Sequence, residues 1–423
     1  MKQYPKYKDS GVSWIGEIPE HWKIKRIKVL FFENKEKNED YEFKHALKFN
    51  YGRLVSKEEK GDVVELKDTY VAYTKIKEND IAINCLNLNY DFVSQRVAIC
   101  PQNGILTSAY LTMTPREGVN SHYYNFLFKA MDSKKLFHGM GTGIRLTLSY
   151  SELKKQYVVV PPKNEQAAIV SFLDAKTAQI DRIIAEAEIE IEKLNELKQA
   201  QIAHLVTHGL NPDAPMKDSG IAWIGQIPEH WKKARYKDVL SIQDEKVGKR
   251  KDLTLLSLTK QGVIIRDLTE MKGKFPKDFE SYKVVHPDNI ILCLFDVDET
   301  PRTVGLSHNE GMITGAYDVF SIKNIDKEYF LYHYLSLDDR KAMKPLYKGL
   351  RKTIPLPRLM GEHIFIPPKD EQTSIVSAIN SMSSKIDTLT TKLNAQIGYL
   401  KELKQRIISD AVTGKIDVRE VNN

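Results

Sequence analysis

The feature that most constrains this 423-residue chain is a fifteen-residue phrase that it contains twice. KDSGVSWIGEIPEHW begins at Lys8, and KDSGIAWIGQIPEHW begins at Lys217, with twelve of the fifteen positions identical. The distance between the copies is far above the ~20–50 residues of solenoid and propeller repeats, so the repeat indicates a duplicated domain. We therefore expect two copies of one folding unit.

A second shared segment defines how each unit ends. VPPKNEQAAIVSFLDAKTAQID begins at Val160 and IPPKDEQTSIVSAINSMSSKID begins at Ile366, and the alignment continues without a gap to Thr207 and Thr413. Between the shared segments the copies diverge, although GIRLTL in the first copy still corresponds to GLRKTI in the second. Each unit is predicted to consist of a leader, a variable region with both strands and helices, and a long helix.

Both long segments carry an apolar residue at every seventh position, which is typical of a coiled coil. We predict that the seam of these helices contains Leu173, Ile180, Leu194, Ile386, Leu393 and Leu400. About 40 helical residues would extend over about 60 Å at ~1.5 Å per residue.

The helix starts are also marked in the sequence. Two prolines end an extended segment, Asn164 or Asp370 is expected to cap the helix, and Glu165 or Glu371 suits its first turn. The tryptophans and prolines of the repeated phrase are expected to be packing and turn residues rather than a recognition surface.

Composition limits the class of protein. Hydrophobic residues make up 42% and charged residues 28%, which is ordinary for a globular domain, and no run approaches the ~18 apolar residues of a membrane span. Three widely spaced cysteines do not form a disulfide framework and fit a reducing cytoplasm. The net charge of +7 permits nucleic-acid binding without demonstrating it.

Known catalytic motifs do not fit this sequence. An amino-group DNA methyltransferase needs a polar residue before two prolines and an aromatic residue after them, to hold a flipped base. Here Val160 and Ile366 precede the prolines and lysine follows them, so a junction between strand and helix is the better interpretation. GMGTG at Gly139 lacks the Lys-Ser/Thr of a P-loop. We expect no catalytic residue in this chain.

One histidine pair could in principle bind a metal ion. His204 and His208 lie four positions apart on the first long helix. The second copy has Asp410 and Gly414 at these positions, and no third ligand is near in the sequence. We therefore predict no metal site.

Positive charge is concentrated in the two variable regions. Residues 24–156 contain 21 basic and 16 acidic side chains, and residues 232–363 contain 24 and 19, so each has a net charge of +5. The segment 340–358 has seven basic residues and no acidic one, which fits either a solvated face or a phosphate-binding surface. Because an arginine fork can bind guanine or phosphate with two hydrogen bonds, the candidate DNA contacts are Arg145 and Arg351 first, with Arg96, Thr147, Arg302, Lys348, Lys352 and Thr353.

The repeated phrase, the VPPKNEQ and IPPKDEQ junctions and the ending AVTGKIDV resemble the specificity subunit of type I restriction–modification systems. The resemblance covers essentially the whole chain. It implies an α+β protein with two mixed α/β target-recognition domains, separated by two long antiparallel coiled-coil helices and related by a pseudo-two-fold internal repeat. Within that frame we place the first leader and recognition domain at 1–156, the first long helix and linker at 157–216, the second leader and recognition domain at 217–363, and the second long helix and tail at 364–423.

The resemblance also implies the partners. Each recognition domain would bind one half of a split double-stranded DNA sequence, and the helices would hold modification subunits, two in number. Those subunits would use S-adenosylmethionine, and restriction subunits would use ATP and Mg²⁺, while this chain would bind no cofactor and stay in the cytoplasm. In such a pseudo-symmetric arrangement, the tail TGKIDV is expected to lie beside the first fifteen residues.

Other interpretations remain open at this stage. The chain could be the specificity partner of a bifunctional type II restriction–methylation enzyme. It could also carry its own methyltransferase or nuclease site, or be a coiled-coil interaction protein with no role on DNA.

Overall fold

The computed structural model describes residues 2–58, 63–141, 143, 146–250, 252–266 and 279–419. The strands of the first copy are β1 (Tyr7–Asp9), β2 (Glu17–Pro19), β3 (Lys23–Arg26), β4 (Phe31–Glu33), β5 (Leu47–Asn50), β6 (Arg53–Ser56), β7 (Thr74–Ile76), β8 (Ile81–Ile83), β9 (Val97–Ile99), β10 (Gly104–Leu106), β11 (Leu111–Pro115) and β12 (Tyr157–Val160). Its helices are α1 (Val63–Tyr70), α2 (Ser121–Ser133), α3 (Tyr150–Leu153) and α4 (Lys163–His208).

The second copy repeats this order of elements almost completely. Its strands are β13 (Met216–Asp218), β14 (Gln226–Pro228), β15 (Lys232–Arg235), β16 (Leu240–Gln243), β17 (Leu256–Thr259), β18 (Gly262–Ile265), β19 (Lys283–Val285), β20 (Ile290–Leu292), β21 (Val304–Leu306), β22 (Gly311–Ile313), β23 (Asp318–Ile322) and β24 (His363–Ile366). Its helices are α5 (Tyr236–Val239), α6 (Lys327–Asp339), α7 (Leu356–Gly361) and α8 (Lys369–Val412).

The central sheet has the same topology in both copies. Four antiparallel strands follow the order β4-β11-β8-β9 in the first copy and β16-β23-β20-β21 in the second. The hairpins β5–β6 and β17–β18, and the pairs β7–β10 and β19–β22, also correspond. This arrangement confirms the predicted α+β fold with an internal repeat.

One aromatic helix packs on each central sheet. The aromatic segments SHYYNFLFKAM and EYFLYHYLSL form most of α2 and α6. Asn120 and Asp326 cap them by accepting hydrogen bonds from backbone N–H groups of the first turn. The rings of Phe31 and Tyr124 meet edge to face in the first copy, and several aromatic side chains form the equivalent core in the second.

The molecule divides into two compact units. Unit 1 comprises residues 1–187 and 394–423, and unit 2 comprises residues 188–393. Each unit therefore contains one half of α4 and one half of α8, whereas the domain boundaries expected from the sequence placed each long helix in a segment of its own.

Within each unit the two helix halves run antiparallel. In unit 1, Lys404 Nζ lies 2.6 and 2.7 Å from the carboxylate oxygens of Asp181. In unit 2, Lys198 Nζ lies 2.7 and 2.8 Å from those of Asp387. Of the expected seam residues, Leu173, Ile180 and Ile386 are buried, and Leu194, Leu393 and Leu400 are half-buried.

The predicted helix caps were wrong. The helices α4 and α8 begin at Lys163 and Lys369, so Asn164 and Asp370 lie inside the first turn. Here the helix start is stabilised differently, because the side-chain amide of Gln166 donates a 2.8 Å hydrogen bond to the carbonyl of Pro161. Gln372 and Pro367 make the same 2.8 Å bond in the second copy.

The repeated phrase closes the helix ends of each unit. Trp22 is fully buried and donates from Nε1 to Glu165 Oε2 at 2.9 Å, while Nε2 of His21 lies 2.7 Å from Glu165 Oε1. A side chain at Gly414, just past the end of α8, would collide with Pro19 and approach Trp22, and Gly414 has φ +75°. One tryptophan therefore contacts the start of one long helix and the end of the other.

Unit 2 has the same arrangement with fewer contacts. Trp231 Nε1 donates to Glu371 Oε1 at 3.1 Å, and His230 Nε2 lies 2.8 Å from Glu371 Oε2. Gly209, with φ +75°, lies at the end of α4 and packs against the side chains of Trp231 and Glu371. Unit 1 has one further donor, because the Tyr4 hydroxyl lies 3.0 Å from Glu165 Oε2. We call each set of leader tryptophan, leader histidine and helix glutamate a clasp.

The expected proximity of the two chain termini is confirmed within unit 1. The backbone N–H of Asp417 donates to the carbonyl of Lys2 at 2.9 Å. The guanidinium of Arg419 lies 4.8 Å from the centre of the Tyr4 ring.

Because the glutamates of the two clasps differ in burial, replacing each by alanine should lower the free energy of unfolding by a different amount. The side chain of Glu165 is 5% exposed, and that of Glu371 is 23% exposed. Glu165→Ala leaves the buried donors of Tyr4 and Trp22 without an acceptor, so it should lower the free energy of unfolding by about 2–4 kcal/mol. Glu371→Ala should lower it by about 1–2 kcal/mol. Denaturant unfolding measures both losses, and hydrogen exchange assigns each to its unit. Equal losses would show that the extra bond of Tyr4 contributes nothing.

A lysine in α2 differs from its counterpart in the second copy. Lys129 is half-buried, and the corresponding residue by alignment is Leu335. Burial, reinforced by the nearby Lys404 and Arg53, lowers the pKa of Lys129 from 10.5 to about 8.

This lowered pKa predicts a pH dependence of stability. Below pH 8 both the folded and the unfolded chain bind the proton, so the folded chain carries the full cost of burying the charge. Between about pH 8 and 10.5 the unfolded state binds more protons, so the cost disappears as the pH rises. Lys129→Leu should therefore stabilise unit 1 at pH 7, by about 1–2 kcal/mol after solvent screening. Thermal unfolding at pH 7 and pH 10 should show the advantage shrinking, and a constant advantage would exclude this cause.

Candidate nucleic-acid interface

Three loops meet at one edge of unit 2. The backbone N–H of Asp296 donates to the carbonyl of Arg351 at 2.7 Å, and that of Ile354 donates to Leu294 at 2.8 Å. Arg302 Nη1 donates to the carbonyl of Lys260, in the turn between β17 and β18, at 3.2 Å. We call the loops 259–262, 293–303 and 347–354 the three-loop edge of unit 2.

The first copy brings the corresponding loops together. The N–H of Leu148 donates to the carbonyl of Cys85 at 3.2 Å, and that of Leu88 to the carbonyl of Leu146 at 3.4 Å. Gly52, in the turn between β5 and β6, packs so closely on Gln95 that a side chain at this position would collide with it. The three-loop edge of unit 1 thus comprises loops 50–53, 84–96 and the described part of 141–148.

The third loop has the same backbone conformation in both units where it can be compared. Gly143 and Gly349 have φ +78° and +69°, and Leu146 and Lys352 have φ +40° and +45°. The segments GIRLTL and GLRKTI therefore correspond in sequence and, at the positions that the structure describes, in backbone conformation. Arg145 itself lies outside the described residues.

In unit 2 this loop is a tight turn. The N–H groups and carbonyls of Lys348 and Thr353 exchange hydrogen bonds of 2.8 and 3.0 Å. The side chains of Lys348 and Arg351 are exposed, and that of Thr353 is half-buried. In the first copy, Thr147 is exposed.

Acidic residues from a distant part of the chain neutralise much of the basic segment 340–358. The guanidinium of Arg351 forms two bonds with the carboxylate of Asp296 and lies 4.8 Å from the centre of the Phe295 ring. This pair raises the pKa of Arg351 and lowers that of Asp296. Asp298 pairs in the same way with Lys344 and Lys352, at 3.3 and 3.2 Å.

Three basic residues of this segment keep their charge unpaired. Within the part of the chain that the structure describes, Arg340, Lys348 and Arg358 form no ion pair, and Nε of Arg340 donates to the carbonyl of Ser336 at 2.9 Å. The sequence contained no sign of the neutralising acids, because Asp296 and Asp298 lie more than forty positions before the residues they bind.

The prediction that Arg96 contacts DNA was wrong. Its side chain is fully buried, and its guanidinium donates to backbone carbonyls of the loop 84–91, the shortest bonds being 2.7 Å to Leu86 and to Asp91. The guanidinium also lies 3.4 Å from the carboxylate of Asp91. Arg96 therefore fixes the shape of a loop from inside and offers no donor to a ligand.

Arg302 has a mixed environment. It is half-buried, and Nε donates to the carbonyl of Val304 at 2.9 Å while Nη1 binds the turn at Lys260. Burial lowers its pKa. The side chain lies on the three-loop edge, and its two hydrogen bonds connect β21 with the turn between β17 and β18.

Sequence patterns missed an apolar surface on unit 1. Tyr51, Tyr90, Phe92 and Val93 are exposed large side chains on loops 50–53 and 84–96. The Phe92 ring stacks on His138 with a centroid separation of 4.6 Å. Neither alternation nor helical periodicity applies within loops, so burial there could not be inferred.

The described residues include no group of three or more His, Cys, Asp or Glu side chains that could hold a metal ion. His204 and His208 stack on each other with ring centres 4.6 Å apart, and burial lowers the pKa of His208. The cysteines are free and buried. No helix within the described ranges has both the length and the hydropathy that a membrane span needs.

The pair of Arg351 and Asp296 predicts a test of base recognition. Arg351→Ala should weaken DNA binding by ~1–3 kcal/mol and relax one half of the target if the fork reads a base. Asp296→Ala keeps the cation but removes the carboxylate that orients it, so it should relax the same positions. Binding titrations against single-base variants of the target measure both effects. Uniform weakening across all sequences would indicate a phosphate contact, and relaxation of the same half by Arg145→Ala would contradict two separate recognition loops.

The family model for the type I restriction modification DNA specificity domain matches residues 8–193 and 228–399. The chain is 25% identical over 433 residues to the type I restriction enzyme MjaVIII specificity subunit of Methanocaldococcus jannaschii, covering 96% of this chain and 95% of that protein.

Two solved structures share the fold. One comes from work on complex assembly and conformational transition of the type I R-M system, with a TM-score of 0.70, 13% identity and coverage of 94% of this chain and 99% of that one. The other is the HsdS subunit from Thermoanaerobacter tengcongensis, with a TM-score of 0.51, 15% identity and coverage of 94% and 98%.

Proposed function

The chain belongs to the type I restriction–modification DNA specificity family and is the target-recognition subunit of such a system, and we propose that its two units bind the two halves of a split DNA sequence. One observation carries this proposal. The same three-loop edge occurs in both units on equivalent backbones, but its side chains differ. Duplication of the scaffold supplies two recognition modules, and divergence of the loops lets them prefer different bases.

The two edges offer different chemistry to DNA. The edge of unit 1 exposes tyrosines and a valine, which suit apolar contacts with bases and the thymine methyl group. The edge of unit 2 exposes Lys348 and the oriented fork of Arg351, which suit phosphate and guanine. The two halves of the target should therefore have different sequences.

The partners of this subunit are DNA and the modification and restriction subunits of the system. We propose that two modification subunits bind the long helices. Exposed apolar residues support this assignment, namely Ile189, Leu197 and Leu389 on the helix halves of unit 2 and Tyr399 on α8 in unit 1. Such residues on otherwise polar helices suit a protein interface.

We propose further that this chain carries no catalytic group and works in the cytoplasm. The modification subunits then use S-adenosylmethionine, and the restriction subunits use ATP and Mg²⁺. The comparisons support this division, because the related protein of Methanocaldococcus jannaschii is described as the specificity subunit of a type I restriction enzyme.

Replacing one variable region by the other tests the proposed division of labour. A chain in which residues 232–363 are replaced by residues 24–156 should keep its leaders and long helices and lose the second recognition surface. Mapping methylated adenines in a genome that expresses this chimera should show the first half-site in both halves of the target. The unaltered chain is the control.

The outcomes separate the possible failures. If no methylation depends on the unaltered chain, it is not a target-recognition subunit. If the chimera changes both half-sites, the two units do not read them independently.

A further inference from the structure

Leu350 stands at the tip of the turn 348–353. Its side chain is fully exposed, at 102% of the reference value. Single exposed apolar residues are ordinary on protein surfaces, so exposure alone assigns no role to this leucine. Its surroundings do distinguish it.

The turn that carries Leu350 is firmly anchored. The two hydrogen bonds between Lys348 and Thr353 close its base, and the N–H of Lys352 donates to the carbonyl of Gly349 at 3.2 Å. The bonds of Arg351 to Asp296 and of Lys352 to Asp298 attach the turn to loop 293–303. Because the backbone is held on both sides, the leucine points outward instead of folding back onto the core.

Cations surround this apolar tip. Lys348, Arg351 and Lys352 lie within two positions of Leu350 in the sequence, and all three are exposed. An apolar side chain flanked by positive charges matches a DNA surface, where phosphates lie on either side of the stacked bases. The first copy also has an apolar residue at the corresponding position, since Ile144 precedes Arg145 in GIRLTL.

We propose that Leu350 enters the base stack of the target DNA as an apolar wedge, beside the base or phosphate that Arg351 binds. This inference rests on the proposed function and adds a way of deforming DNA to it. Insertion partly unstacks one base step, and wedges of this kind kink a duplex by ~20–90°. The step should be a flexible pyrimidine–purine step, TA or CA/TG, because these steps unstack most easily. Specificity would then arise partly from deformability at a position that makes no hydrogen bond.

The test uses the complex of the full chain with its partner subunits and the target found by methylation mapping. Duplexes carry 2-aminopurine in place of single adenines in each half-site, and a second set carries a fluorophore pair at the ends to report bending. The unaltered complex should increase 2-aminopurine fluorescence at one step and bend the duplex. Leu350→Ala should lose the fluorescence increase and most of the bend while it still binds the same target. Leu350→Met should retain both.

Matched controls separate the wedge from other roles. Ile242→Ala removes another exposed apolar side chain of unit 2, on β16, and should change neither signal. The proposal is overturned if the unaltered complex neither unstacks nor bends its target, or if Leu350→Ala leaves both signals intact. It is also overturned if Leu350→Ala and replacement of one thymine by uracil weaken binding equally while unstacking is unchanged, since Leu350 would then contact a methyl group. Weaker assembly of Leu350→Ala with the partner subunits in the absence of DNA would place the leucine at a protein interface. A complex that does not bind the mapped target would instead contradict the proposed function.

Discussion

The contact between a leader tryptophan and a helix glutamate determines how each unit is closed. Two long helices cannot stay paired at their ends through seam packing alone, because the last turns of a helix fray and leave backbone groups without partners. Trp22 lies between the start of α4 and the end of α8, and its indole N–H binds the first-turn carboxylate. A glycine lies just past each long helix because the left-handed backbone and the close approach of Glu371 to Gly209 and of Pro19 to Gly414 exclude a side chain. The fifteen-residue phrase occurs twice because each unit has one pair of long-helix ends to close.

Buried cations and exposed cations have different roles in this molecule. Lys75 in β7 and Lys283 in β19 are buried at different positions of equivalent strands, and each contacts carboxylates, among them Asp40 in the first copy and Asp318 in the second. A buried charge that lacks its partner is costly, so each pair stabilises the scaffold of its own copy. The cations of the turn 348–353 are exposed and can exchange their acidic partners for phosphate at little cost. Counting basic residues along the chain does not separate these two kinds, but burial does.

Much of the fold could be predicted from the sequence, since its determinants are local or repeated. An apolar residue at every seventh position predicts a long helix regardless of its tertiary contacts, and a duplicated phrase implies a duplicated fold. The candidate site was harder to predict than the fold, because its geometry depends on residues that are far apart in the chain. The guanidinium of Arg96 is buried because it binds backbone carbonyls of its own loop, and the carboxylate of Asp296 orients the guanidinium of Arg351. The helix caps were mistaken for a related reason, as Gln166 and Gln372 replace the expected Asn164 and Asp370 through bonds to the preceding prolines.

The composition of unit 1 also has a consequence for biosynthesis. Unit 2 is one continuous stretch, residues 188–393, whereas unit 1 needs residues 394–419 to complete its helix pair and its first clasp. On the ribosome, the helix pair of unit 1 can therefore close only after residues 394–419 have been made, whereas unit 2 can close before that. During that interval the first half of α4 contacts the leader through Trp22 and Glu165 but lacks the second half of α8. A product truncated before residue 394 would retain a complete unit 2 and a unit 1 without its second helix half.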